Sequence, residues 1–132
     1  MDDDNGSGDV SLSELQLRLM RVLWQRGEAS TAEVAEALRG ERDLAHTTVA
    51  TVLTRLEKRG LLASRREGRA LLYTPQVSEA EVQRSMVGSL LDRLFAGRTS
   101  ALVSHLLDAR GVDAAELAEL QALLKQRKGE AR

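Results

Sequence analysis

Cysteine is absent from this 132-residue chain. That excludes disulfides and thiolate metal sites. Aromatic residues are scarce at 2%, namely Trp24, Tyr73 and Phe95. The core must therefore be built from Leu, Val and Ala, which suits helices. A single proline, Pro75, leaves room for long ones. No apolar run approaches the roughly 18 residues that cross a bilayer. The opening "MDDDNGSGDV" is acidic and lacks the apolar stretch of a secretion signal. The expectation is a cytoplasmic protein without membrane insertion. Hydrophobic residues at 42% and charged residues at 30% are an ordinary globular balance.

Net charge is −1, which alone argues against a nucleic-acid binder. The distribution says more. Residues 1–10 hold Asp2, Asp3, Asp4 and Asp9 with no cation, and read as a flexible acidic tail. Residues 46–77 carry Arg55, Lys58, Arg59, Arg65, Arg66 and Arg69 against only Glu57 and Glu67, a net charge of +4. The stretch 78–132 balances eight charges of each sign. One basic segment can bind an anion even when the whole chain is nearly neutral.

The run "LSELQLRLMRVLWQRG" predicts a first helix. Ser13 and Gln16 form a capping box, Leu12 and Leu17 a hydrophobic staple, and Gly27 the stop. Its polar residues make one narrow stripe, so it should be mostly buried, with Trp24 in the core. "STAEVAEALRG" predicts a second helix, with Ser30 and Glu33 as its box and Gly40 as its end. In "TTVATVLTRLEKRG", Val49, Val52, Leu53 and Leu56 recur at helical spacing. "LLASRREGRALLYTP" reads as a hairpin turning at Glu67-Gly68, with cations near its tip. After Pro75, three further helices are expected. Ser78/Glu81 and Asp113/Glu116 form capping boxes there.

The third helix presents Thr47, Thr51, Thr54, Arg55 and Lys58 opposite its apolar face. Threonine is a mediocre helix former, so a row of threonines needs a reason. Three helices and a basic hairpin describe a winged helix-turn-helix, whose third helix enters the DNA major groove. A short hydroxyl side chain reaches phosphates or base edges, and its methyl can touch the thymine methyl. Arg55 can reach phosphate or pair with guanine. Lys58, Arg59, Arg65, Arg66 and Arg69 supply phosphate attraction. His46 either touches the DNA or caps the helix. The fold class expected is mostly α with a small β-hairpin wing. Residues 1–10 form a tail, 11–77 a winged-helix DNA-binding domain, and 78–132 a helical dimerisation domain. In the last, Val82, Met86, Leu90, Leu94, Leu106, Leu117, Leu120 and Leu124 supply an apolar seam between two copies.

The runs "LSELQLRLMRVLW", "TTVATVLTRLEKRGLL" and "EGRALLYTPQVS" resemble the penicillinase-repressor (BlaI/MecI) family of bacterial transcriptional regulators. The resemblance covers nearly the whole chain after residue 10. It implies repression from a palindromic operator by a homodimer. By position, Thr47, Thr48, Thr51 and Arg55 match the recognition-helix residues that meet DNA, and Arg69 lies in the wing. Family members often begin this helix with Ser or Tyr-Thr and carry Lys or Arg within it. Ala45, His46 and Ala50 stand there instead. The resemblance also implies a partner, a membrane-anchored sensor metallopeptidase that cuts an Asn-Phe bond. The matching bond here is His105-Leu106, a departure. The cysteine motif of copper-responsive relatives is missing.

Catalytic chemistry finds no footing. Ser104 and His105 are helix neighbours that point apart, so they do not form a nucleophile–base pair. Glu79, Glu81, Glu116 and Glu119 sit in first turns, where acids favour the helix dipole. No phosphate-binding glycine loop, cofactor or metal site is expected. Two readings compete with the repressor: a winged-helix regulator released by a small-molecule ligand, and a winged-helix protein-interaction module.

Overall fold

A computed structural model describes residues 10–41 and 44–130. The acidic tail, up to residue 9, lies outside the described residues. The chain divides into two compact units after Val87.

In the first unit, α1 (Glu14–Arg26) opens on the Ser13–Gln16 capping box and ends at Gly27, whose φ of 85° satisfies the turn. Two residues form β1 (Ala29–Ser30), and Ser30 then caps α2 (Thr31–Leu38) with Glu33. That helix stops at Leu38 with Arg39 as its cap, two residues short of the Gly40 the sequence suggested. The third helix, α3 (His46–Lys58), precedes β2 (Leu62–Glu67) and β3 (Ala70–Pro75). The hairpin is not alone. The sheet has three strands in the order β1-β3-β2, because Ala29 pairs with Tyr73 and Ser30 with Leu72. A two-residue strand carries no periodic signal, so it could not be read from the sequence. The hairpin turn also differs by one residue. Glu67 faces Ala70, so the loop is Gly68-Arg69. Gly68 takes φ 63°, the positive value that two-residue loops with a leading glycine adopt.

The core is aliphatic, as the scarcity of aromatics required. Leu19, Met20 and Leu23 of α1, Val34 of α2, and Val49, Leu53 and Leu56 of α3 are fully buried. Tyr73 closes the sheet side. Trp24 packs against the same cluster, and its Nε1–H donates to the Val77 carbonyl at 2.8 Å.

The helix α4 (Glu79–Phe95) begins in this unit, on the Ser78–Glu81 box. Here the expected boundary after residue 77 is corrected. Val82 is 1% exposed within the core and Met86 packs against it. The Val10 N–H donates to Ser85 Oγ at 2.6 Å. The first turns of α4 are therefore the last wall of the winged-helix core. Val82 and Met86, assigned to a seam between copies, are instead occupied inside the chain.

The second unit holds the rest of α4, with α5 (Thr99–Arg110) and α6 (Ala114–Glu130). Asp113 Oδ1 accepts from the Glu116 N–H at 2.8 Å to start α6. Phe95 meets His105 edge-on, with ring centres 5.7 Å apart. From Gly88 onward no described residue is buried. No helix among the described residues is long and apolar enough to cross a membrane.

Candidate nucleic-acid interface

The apolar face of α3 explains which side is free. With Val49, Leu53 and Leu56 at 0% exposure, the helix cannot rotate. Thr47, Thr48, Thr51, Thr54, Arg55 and Lys58 are consequently all exposed. Two of the threonines have already spent their protons. Thr51 Oγ1 donates to the Thr47 carbonyl and Thr54 Oγ1 to the Ala50 carbonyl, each at 2.9 Å. Such back-bonding settles the hydroxyl on the helix itself. What faces outward is a methyl group and oxygen lone pairs, a surface that accepts hydrogen bonds.

The wing arginines do not act alike. Arg65 Nε and Nη2 donate to the two carboxylate oxygens of Glu28 at 2.8 and 2.9 Å. A bidentate pair of this kind fixes both planes. The Arg65 bond holds the Glu28 carboxyl below the usual carboxylate range. Arg65, expected on the DNA face, therefore serves as a clasp between β2 and the turn after α1. Glu28 is a residue the sequence reading missed. Arg59 is also committed: its Nη2 donates to the Ser11 carbonyl at 2.9 Å. Ser64 Oγ donates to Glu57 Oε2 at 2.5 Å, which pins β2 to α3.

Arg66 and Arg69 remain exposed. They line a cleft of about 340 Å³ with His46, Ser30, Thr31, Ala32, Ala70 and Leu71. The cleft joins the start of α2, the start of α3 and the hairpin. At the N-cap of α3, Ala45 supplies no side-chain acceptor, so His46 opens the helix without a neighbouring cap. Of the expected DNA-contacting residues, Thr47, Thr48, Thr51, Arg55 and Lys58 share one helix face, and Arg66 and Arg69 share the cleft. Arg65 belongs to neither set.

The penicillinase repressor family model matches residues 12–126. The chain belongs to the penicillinase repressor family. Relatives agree across most of their length. The penicillinase repressor of Bacillus licheniformis is 30% identical over 117 residues, covering 89% of this chain and 91% of its own. The transcriptional regulator BlaI of Mycobacterium tuberculosis is 40% identical over 118 residues, covering 84% and 86%. The solution structure of the DNA-binding domain of the repressor BlaI is 34% identical with a TM-score of 0.49, covering 53% of this chain and 85% of that one. A MarR variant from E. coli, solved with operator DNA, is 17% identical with a TM-score of 0.51, covering 87% and 74%; it shares the fold. In this family member, the back-bonded threonine face and the His46 cleft lie at the positions expected to meet DNA.

Proposed function

We propose that this penicillinase-repressor family member is a sequence-specific, DNA-binding transcriptional repressor of the cytoplasm, acting as a homodimer on a palindromic operator. One observation carries the reading: the outward face of α3 is a strip of threonines followed by Arg55 and Lys58, held rigid by a fully buried opposite face. A helix so presented suits the major groove, where short side chains allow close approach and an arginine can bridge guanine. Arg66 and Arg69 add phosphate attraction beside it.

Pairing is supported by the second unit. Leu94 and Leu124 are each 70% exposed, and Leu90, Leu106 and Leu117 about 41–42%. Leu120, half-buried, lines an apolar cleft of about 440 Å³ with Val103, Leu106 and Leu107. So much open leucine on three short helices calls for a partner surface, and a second copy offers the same surface back. Val82 and Met86 are left out of that seam.

The test is selection of duplexes from a random pool. Enriched sites should be two-fold symmetric, and binding should weaken steeply with salt, with a log–log slope of about −0.9 per phosphate contacted. Failure to enrich any sequence rejects the repressor reading. A second reading concerns its release: a membrane-anchored sensor peptidase that cuts at His105–Leu106. It is favoured by the exposure of both residues on α5.

A further inference from the structure

We infer that the cleft between the start of α2, the start of α3 and the wing seats one backbone phosphate of the bound DNA, with His46 as a contact, so that DNA binding takes up a proton. The inference rests on the DNA-binding reading and goes beyond it, because it makes the protein's grip on DNA depend on pH.

The cleft brings together His46, Arg66 and Arg69. Those three come from two separate elements, α3 and the hairpin, and all three are exposed. The groups that complete the lining are the hydroxyls of Ser30 and Thr31 and the small side chains of Ala32 and Ala70. No carboxylate is among the lining residues that the structure describes. Two acids flank it: Glu33 on α2 accepts from the Ser30 N–H at 2.8 Å, and Glu67, exposed, follows Arg66 and pairs opposite Ala70 across the hairpin. Cations with hydroxyls and no acid match a phosphodiester, which offers one negative charge and only acceptors. The place also suits one. The cleft begins where the threonine strip of α3 begins, and a helix seated in the major groove has a phosphate strand along its flank.

A guanidinium keeps its charge at any physiological pH, whereas an imidazole does not. A phosphate entering the cleft favours the charged form of an imidazole lining it, since an opposite charge within a few ångströms stabilises that form. Binding and protonation are then linked, and by reciprocity lower pH strengthens binding.

The experiment measures the affinity of the full chain for a fluorescein-labelled mixed-sequence duplex at constant ionic strength, between about pH 6 and pH 8. The dissociation constant of the native protein should rise several-fold with pH, at most about tenfold per pH unit for each proton taken up. His46→Gln should flatten that profile and bind at acid pH as weakly as the native protein does at alkaline pH. His46→Arg should also flatten it, at the tight level. His105→Gln, which removes the only other histidine, should keep the native slope. A native profile without slope, or a slope that survives in His46→Gln, overturns the inference while leaving the DNA-binding reading intact. Absence of binding to any duplex at every pH overturns both.

Discussion

At the scale of single residues, the exposed cations sort into those that are free and those already engaged. Arg55 is exposed, with no side-chain partner among the described residues, and Arg55→Ala should lower affinity for the selected operator. Where it pairs with guanine, about 1–3 kcal/mol of discrimination should go with it, read by competition with a site altered at that base. Arg69→Ala should weaken all duplexes alike and make the salt slope shallower by about one unit. Arg65 is engaged, so its removal should act through the wing. Glu28→Gln should release Arg65 towards phosphate, raising affinity for mixed-sequence DNA at low salt. The same pair makes the wing sensitive to acid. The Glu28 carboxyl is held below its ordinary value by the Arg65 hydrogen bonds. Its stabilisation is thus present above the unfolded carboxyl value and lost as pH falls through the lowered folded value. Protection of the β2 and β3 amides, corrected for their intrinsic exchange rates, should fall in the native chain as pH drops below the ordinary carboxylate range. In Glu28→Gln that acid-dependent change should be missing.

At the scale of elements, what was legible followed periodicity and capping chemistry. The apolar spacing of Val49, Leu53 and Leu56 gave α3 and its free face together. Ser13–Gln16, Ser30–Glu33 and Ser78–Glu81 marked three helix starts, and each pair is hydrogen-bonded in both directions. Features without a repeat escaped. The β1 strand is two residues long. The Glu28–Arg65 clasp joins positions 37 apart in sequence. The role of Val82 was hidden for another reason: the same apolar stripe of α4 serves two purposes along its length, and a stripe does not say which partner covers it. The buried helices give the matching prediction. Leu53→Ala, at a site with no exposure, should cost about 2–5 kcal/mol by denaturant unfolding. A chain ending at residue 77 should be markedly less stable than one ending at residue 87, because only the longer one keeps Val82 and Met86 in the core.

At the scale of the whole molecule, the contrast between the units matters most. The first has a closed aliphatic core; the second has leucines without a buried residue among them. The first should therefore fold alone and stay monomeric when the chain ends at residue 87, whereas the full chain should be a dimer by light scattering. Leu124→Glu should shift that dimer towards monomer. Two half-sites tethered in one dimer gain effective concentration, so the monomeric forms should bind the operator far more weakly while keeping its base preferences. Cleavage at His105–Leu106 would act in the same way. The bond lies inside α5, so a peptidase needs the helix to open locally first. Mass spectrometry of the protein in its own cells during de-repression should find the two fragments. Intact chain with the genes switched on would reject that route.

The Trp24 indole offers a consequence of a different sort, an optical one. It is the only tryptophan in the chain, and its N–H is fastened to the carbonyl of Val77, just before α4 starts. The molecule carries a native fluorophore at the joint where the winged-helix core hands over to α4. Undocking that joint would expose the ring to water and shift its emission to the red, whereas events confined to α5 and α6 would leave it dark to change. Dissociation of a dimer, unlocking of α4 and melting of the core can then be told apart in one unlabelled sample, by reading light scattering, tryptophan emission and circular dichroism side by side.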